Sequence, residues 1–113
     1  METTRKPVEF LGSSYDDLLS FPELARRRAG FQLDQVQRGG DPDDWKPMPS
    51  IGTGVREIRI RDDNGIYRVI YLAKFAEAVF VIHCFEKKTQ KTRQADFVVA
   101  TARYNQLMRE RKT

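Results

Sequence analysis

Residues 54–71 read GVREIRIRDDNGIYRVIY, and this stretch predicts a β-hairpin. Two runs rich in Ile, Val and Tyr flank Asn64-Gly65, a dipeptide that is the strongest short-range hairpin signal because both residues accept the positive φ of a primed turn. With Asn64 and Gly65 as the loop, Arg61 pairs with Arg68. A four-residue loop from Asp62 to Gly65 shifts the partners but keeps the same parity.

The parity of this hairpin places three arginines together. Side chains alternate between the faces of a strand, so Arg59, Arg61 and Arg68 share one face with either loop. The other face carries apolar residues, namely Ile58, Ile60, Tyr67, Val69 and Tyr71. Like charges on neighbouring strands destabilise their pairing, which favours a surface that binds phosphate. The alternative is a solvated outer face with Glu57 and the loop aspartates as partial partners.

A third strand is predicted at residues 78–85, which read AVFVIHCF. A nearly unbroken apolar run predicts a central strand that is covered on both faces. If the preceding turn is even-numbered, His83 and Phe85 lie on the arginine face, while Phe80, Ile82 and Cys84 lie on the core face. Residues 86–93, EKKTQKTR, then form a basic loop that extends the arginine face.

Charge is distributed unevenly along the chain. The 113 residues carry a net charge of +4 and are expected to form one domain, residues 1–113. Residues 1–50 contain 7 Lys and Arg against 9 Asp and Glu, whereas residues 51–113 contain 13 against 7. The positive charge therefore belongs to the hairpin, the basic loop and the last segment, and it indicates a nucleic-acid partner.

Several classes of protein are disfavoured by composition. No apolar run reaches the roughly 18 residues of a membrane span, and no signal peptide is recognisable, so no membrane association is expected. With one Cys and one His, a zinc site is nearly excluded, and no phosphate-binding glycine motif is present. We expect no cofactor, a buried structural thiol at Cys84 and a reducing cytoplasmic location.

The remaining segments complete an α+β architecture: a strand and two helices at the N-terminus, a three-stranded antiparallel meander and a C-terminal helix. Residues 7–11 form a short edge strand; helices follow from Ser13 or Ser14 and from Pro22, and Gly39-Gly40 ends the second. Residues 41–53 are too proline-rich for regular structure, and Trp45 is expected to pack on the core rather than to stack on a base. Residues 93–109 have helical periodicity.

An enzyme with this composition would use Arg, Lys, His or Tyr. Such a set suits RNA cleavage by the 2′-hydroxyl, in which one group removes the hydroxyl proton, cations stabilise the phosphorane and a donor protonates the 5′ oxygen. An arginine cluster supplies the second requirement, and it can also lower the pKa of a neighbouring lysine.

The chain resembles the RelE/ParE superfamily of toxin–antitoxin toxins, in particular its phage-related HigB-like branch. The resemblance covers nearly the whole chain. It is carried by residues 30–33 (GFQL), 36–39 (VQRG), 44–48 (DWKPM), 54–61 (GVREIRIR), 65–71 (GIYRVIY) and 83–92 (HCFEKKTQKT).

This resemblance implies a RelE-like fold and a type II toxin that cleaves mRNA in the ribosome and so inhibits translation. It implies a metal-independent endoribonuclease (mRNA interferase), a cognate helix-turn-helix antitoxin and a toxin–antitoxin hetero-oligomer. The residues that would carry catalysis are Arg68, Arg59, Lys88 and His83. Those that would bind RNA are Arg56, Arg61, Lys87, Lys91 and Arg93.

One family feature is missing. RelE-like enzymes use a tyrosine on the C-terminal segment, but residues 94–96 contain none, and Tyr104 lies too far along the chain. The proton-transfer residue is therefore open: His83 or Lys91 could substitute, and a structural role is the alternative for His83.

Two other functions remain open from the sequence. A ParE-like toxin would inhibit DNA gyrase without nuclease chemistry. A non-catalytic nucleic-acid-binding module would use Arg59, Arg61 and Arg68 only to hold phosphates.

Overall fold

A computed structural model of the protein describes residues 5–87 and 92–112. The elements, in chain order, are β1 (Val8–Phe10), α1 (Ser14–Leu19), α2 (Glu23–Gln37), β2 (Trp45–Pro47), β3 (Val55–Asp62), β4 (Gly65–Leu72), β5 (Val79–Lys87) and α3 (Gln94–Arg111). The fold is α+β and compatible with the RelE-like class, as the sequence predicted.

The five strands form one mixed sheet in the order β1-β5-β4-β3-β2. β3, β4 and β5 are the predicted antiparallel meander, and β1 pairs with β5 in parallel at one edge. A parallel pair needs a crossover connection between its strands. The chain from β1 to β5 provides it, and β5 is left as an inner strand between β1 and β4.

The β3–β4 hairpin has the register of the longer of the two predicted loops. Arg59 lies opposite Arg68, and Asp62 lies opposite Gly65, so Asp63 and Asn64 form the turn. Asp62 Oδ1 accepts hydrogen bonds from the backbone N–H groups of Asn64 and Gly65, at 2.7 and 2.9 Å. This side-chain acceptor stabilises the turn locally. None of the turn residues has positive φ, so the predicted primed turn is wrong, although the predicted parity is confirmed.

Helices cover both faces of the sheet. α1 and α2 pack on one face, where Ile58, Ile60, Tyr67, Val69 and Tyr71 form the core with the buried side chains of the two helices, as predicted. α3 packs on the other face, with Ala100 and Leu107 buried in an apolar cluster that includes residues of β3, β4 and β5. We call these the α2 face and the α3 face.

A β-bulge in β5 changes the face of the sheet on which part of its side chains lie. Ile70 pairs with His83 but Tyr71 pairs with Val81, so Ile82 is an extra residue in β5. His83 and Phe85 share the face of Arg68, as predicted. Phe80 and Ile82 lie on this face too, beneath α3, and the prediction that they join Cys84 on the opposite face is wrong. The reason is that an inserted residue reverses the alternation on either side of it.

Residues 41–53 contain a strand that was not predicted. β2 pairs with β3, with Trp45 opposite Ile58 and Lys46 opposite Glu57. Proline is tolerated here because β2 is a short edge strand. Trp45 is half-buried on the α2 face, where the Arg56 guanidinium lies 3.9 Å from its ring centroid.

The helices otherwise follow the sequence. α2 runs unbroken through Gly30, is preceded by Pro22 and ends just before Gly39, whose φ of 93° is the left-handed conformation that glycine adopts readily. Within the described ranges, no helix is long and apolar enough to cross a membrane.

Candidate functional site

Six polar side chains lie close together on the part of the α3 face that the apolar residues of α3 leave uncovered. They come from four adjacent strands and from the residue pair preceding α3: Lys46, Glu57, Arg59, Arg68, Lys87 and Thr92. The register explains their proximity, since Lys46 is opposite Glu57 and Arg59 is opposite Arg68. We call this group the Glu57 cluster.

A buried ion pair lies at its centre. The Arg68 Nη1 donates to Glu57 Oε1 at 2.6 Å, with the two side chains 2% and 0% exposed. Lys46 Nζ is 3.7 Å from the same oxygen, and the Thr92 hydroxyl donates to Oε2 at 3.3 Å. Burial lowers the pKa of Arg68 and the Glu57 carboxylate opposes this shift. An arginine side chain remains charged in any case.

Hydrogen-bond donors are left over at this centre. The Nε atoms of Arg59 and Arg68 are buried and have no hydrogen-bond partner among the described residues. Buried polar atoms normally have a partner, so each such exception calls for an explanation. A ligand that accepts hydrogen bonds, such as a phosphate, would satisfy these donors.

Lys87 lies at the end of β5, half-buried and opposite Ile66. Its pKa is lowered, first by desolvation and then by the positive charges of Arg68, Lys46 and Arg59. A lysine in such surroundings loses its proton more readily than one in water. Lys87, predicted from the sequence to bind RNA, thus also has the environment of a proton-transfer residue.

His83 is placed on the same face but is held in a separate contact. It is 8% exposed, with Nε2 2.8 Å from Asp96 Oδ1 and Nδ1 3.5 Å from Arg103 Nη1. A hydrogen on Nε2 and a lone pair on Nδ1 satisfy both contacts. The ring stacks on Phe85, with centroids 5.2 Å apart. His83 therefore joins β5 to the first turn of α3, which is a positioning role.

The other predicted site residues are dispersed. Arg61 is exposed beyond Arg59 on the same face, and Arg93 precedes α3 with its Nε 3.3 Å from Asp96 Oδ2. Arg56 lies on the opposite α2 face, bonded to Asp41, and is separated by the sheet from the Glu57 cluster. Lys88 and Lys91 lie outside the described residues.

Sequence reasoning missed three members of the cluster as site residues. Glu57 has the same parity as Arg59, which was the available signal for a buried partner of the arginines. Lys46 carried no such signal because its segment was read as a loop. Thr92 is brought to Glu57 by the position of α3, a tertiary effect with no local pattern.

Cys84 is buried on the α2 face, as predicted for a structural thiol. Burial raises its pKa to about 12, so the reactive thiolate is scarce at neutral pH. Among the described residues, no group of three or more His, Cys, Asp or Glu side chains is arranged to hold a metal ion.

The fold is that of a small α+β protein and is compatible with the RelE-like class. Residues 16–105 match the family described as phage derived protein Gp49-like (DUF891), and the chain belongs to this family. The Gp49-like family is a member of the RelE-like toxin superfamily. No curated protein matches the chain.

Proposed function

We propose that this protein is the toxin of a type II toxin–antitoxin module: a HigB-like, metal-independent endoribonuclease that cleaves mRNA on the ribosome in the cytoplasm. Family membership supports the toxin class. The Glu57 cluster supports two further parts of the proposal, namely that the protein is a nuclease and that RNA is its substrate.

The observation that carries the proposal is the charge of the cluster. Four cationic side chains, Lys46, Arg59, Arg68 and Lys87, surround one buried carboxylate, Glu57. Cations held this close repel one another unless an anion joins them. An RNA phosphate supplies that anion, and its oxygens accept hydrogen bonds from the unpartnered Nε atoms of Arg59 and Arg68.

In the proposed reaction, the 2′ oxygen attacks the phosphorus and the bond to the 5′ oxygen breaks, which leaves a 2′,3′-cyclic phosphate. Lys87 in its neutral form accepts the 2′-hydroxyl proton, a role that its lowered pKa favours. Arg59 and Arg68 stabilise the charge that develops on the phosphorane oxygens. Glu57 holds Arg68 in position, and Thr92 in turn donates a hydrogen bond to Glu57.

Among the residues that the structure describes, we assign Lys46 as the donor that protonates the 5′ oxygen. It lies on β2 and Lys87 lies on β5, so the two lysines flank the strands that carry Arg59 and Arg68. An attacking and a leaving oxygen lie roughly in line on opposite sides of the phosphorus, and this arrangement accommodates both. Since Lys88 and Lys91 lie outside the described residues, their predicted roles stay predictions.

The proposed partners are mRNA within the ribosome and a cognate helix-turn-helix antitoxin that forms a hetero-oligomer with the toxin. A small reading frame adjacent to the gene is expected to encode this antitoxin. Its co-expression should abolish growth arrest by the toxin.

Primer extension on cellular mRNA after induction tests the activity. We expect new 5′ ends within messages for the wild type, and a loss of at least roughly 100-fold in cleavage for Lys87→Met and Arg59→Gln, since each removes a proton-transfer or charge-stabilising group. Arg109→Gln is the matched control, because Arg109 is exposed near the C-terminal end of α3, at the opposite end of the helix from Thr92. Growth arrest with intact messages and gyrase-dependent DNA damage would instead identify a ParE-like toxin. RNA binding without cleavage or toxicity would identify a non-catalytic module.

A further inference from the structure

A second polar cavity lies on the α2 face, near the end of α2 and the start of β3. Its volume is about 270 Å³, and its polar lining comes from Lys6, Asp41, Arg56, Tyr71 and Lys74. None of these residues belongs to the Glu57 cluster. We call this space the Tyr71 cavity.

Tyr71 gives the cavity an unused hydrogen-bond donor. The residue is 1% exposed, and its buried hydroxyl has no hydrogen-bond acceptor among the described residues. Burial raises the pKa of Tyr71, and a side-chain hydrogen bond from Arg56, together with its positive charge, opposes the shift. The phenol is thus protonated at neutral pH. A guanidinium only donates, so this contact leaves the hydroxyl hydrogen without an acceptor. An unpaired buried hydroxyl costs free energy unless a bound molecule accepts its hydrogen.

The charge of the lining selects for an anion. Three cationic residues, Lys6, Arg56 and Lys74, face one carboxylate, Asp41. Arg56 Nη1 donates to Asp41 at 2.8 Å, and Lys6 Nζ donates to the carbonyl oxygens of Ala73 and Phe75. A guanidinium has five donors and an ammonium has three, so both cations retain hydrogen bonds to give.

Gly54 leaves room for the Lys74 side chain beside the Tyr71 cavity. Gly54 has a φ of 85°, and a Cβ atom at this position would lie 3.0 Å from the Lys74 Cδ. Any other residue would be strained in this conformation and would push against the Lys74 side chain. The backbone at this corner therefore leaves room for Lys74 beside the cavity.

We propose that the Tyr71 cavity is a binding site for a phosphate group, either free phosphate or the terminal phosphate of a mononucleotide. Tyr71 donates a hydrogen bond to it, and Arg56 and Lys74 supply charge and further donors. The site lies across the sheet from the Glu57 cluster and does not depend on the proposed nuclease activity. Its occupancy can therefore be tested on the isolated toxin.

Trp45 provides the signal for a titration. It is the only tryptophan in the chain, and Arg56 stacks on its ring at 3.9 Å, so an anion that binds Arg56 alters the surroundings of the indole. The probes are inorganic phosphate and adenosine 5′-monophosphate, each compared with chloride at matched ionic strength. Binding of phosphate identifies the free anion as a sufficient ligand, and binding of the nucleotide alone identifies a terminal phosphate.

The variants are Tyr71→Phe, which removes only the hydroxyl, and Lys74→Gln, which removes one charge. Tyr67→Phe is the matched control, since Tyr67 is buried on the same strand and face but outside the cavity. Tyr71→Phe should fold as the wild type does, because the hydroxyl has no acceptor to lose and Arg56 keeps its hydrogen bond to Asp41; a thermal melt checks this.

We expect saturable binding that is specific to a phosphate group, weakened roughly tenfold in Tyr71→Phe by loss of a hydrogen bond to a charged group. Lys74→Gln should weaken binding as well, and Tyr67→Phe should leave it unchanged. The proposal is overturned if neither probe changes Trp45 fluorescence beyond the chloride control, or if Tyr71→Phe binds phosphate as tightly as the wild type does.

Discussion

The two ends of the α3 face are built from the same strands and have opposite character. At one end Ile70, Leu72, Phe80 and Ile82 pack beneath Ala100 and Leu107 of α3. At the other end the same sheet buries Glu57 and Arg68 beside Arg59. Burial of apolar surface stabilises the fold, whereas a buried ion pair is often no better than an apolar substitute. The charged end is therefore not explained by stability, and binding of a ligand is the reason that we infer for it.

The largest expected effect comes from breaking the central ion pair. Arg68→Ala leaves Glu57 buried without its strongest partner and should lower the free energy of unfolding by about 3–5 kcal/mol. Urea denaturation measures this. The double variant Glu57→Leu/Arg68→Met should recover most of the loss while remaining inactive, because an apolar pair can replace a buried ion pair. A loss below about 1 kcal/mol in Arg68→Ala would contradict the account of Arg68 as a residue held by Glu57.

At the apolar end of the α3 face, a substitution should lower the stability of the protein and leave the activity of the folded molecules unchanged. Leu107→Ala removes a buried side chain of α3 that packs on the α3 face of the sheet, and it should lower the free energy of unfolding by about 2–4 kcal/mol. The folded fraction should still cleave message at close to the wild-type rate, since Leu107 does not contact the Glu57 cluster. The check is cleavage per folded molecule, with the folded fraction measured by circular dichroism. A hundredfold loss of cleavage in folded protein would show that the two ends are not separable.

A smaller effect is expected at the junction of α3 with β5. Asp96→Ala removes the partner of His83 Nε2 at 2.8 Å and a carboxylate from the first turn of α3, and should cost about 1–3 kcal/mol. Asp63→Asn, in the exposed β3–β4 turn, is the control and should change stability by less than about 0.5 kcal/mol. Because α3 brings Thr92 to Glu57, Asp96→Ala should also reduce cleavage. Equal stabilities of the two variants would rule out a positioning role for His83.

The smallest effect concerns the pH dependence that Lys87 imposes. Its pKa is lowered in the folded protein from an ordinary value of 10.5, so the unfolded chain binds more protons below that pH. Stability attributable to Lys87 therefore rises as pH increases through the folded pKa towards 10.5, the opposite of a lysine stabilised by a carboxylate. Lys87→Met should remove this component from denaturation curves taken as the pH approaches 10.5 from below. An unchanged slope would contradict the lowered pKa.

Much of the scaffold could be predicted because its signals are local. Alternation in residues 54–71 fixed the parity of Arg59, Arg61 and Arg68, and the periodicity of residues 93–109 predicted the C-terminal helix. The bulge at Ile82 could not be predicted, since it depends on how β5 fits β4. Strand β2 could not be predicted either, since its pairing with β3 overrides a proline-rich local composition.

The candidate site was predictable only in part. Charge patterning identified Arg59, Arg68 and Lys87, but the partners that define their chemistry come from distant segments. Glu57 was visible by parity, whereas Lys46 and Thr92 reach it only through tertiary packing. Arg56 was grouped with the other arginines because it belongs to the same strand, yet its even position places it across the sheet.

The most direct test of the central claim is mRNA cleavage in a reconstituted translation system with ribosomes paused on a defined message. We expect cleavage in the ribosome by the wild type and by Arg109→Gln at similar rates, and a rate reduced roughly 100-fold in Lys87→Met with the fold intact. Cleavage by folded Lys87→Met at the wild-type rate, or intact message with the wild type, would contradict the central claim.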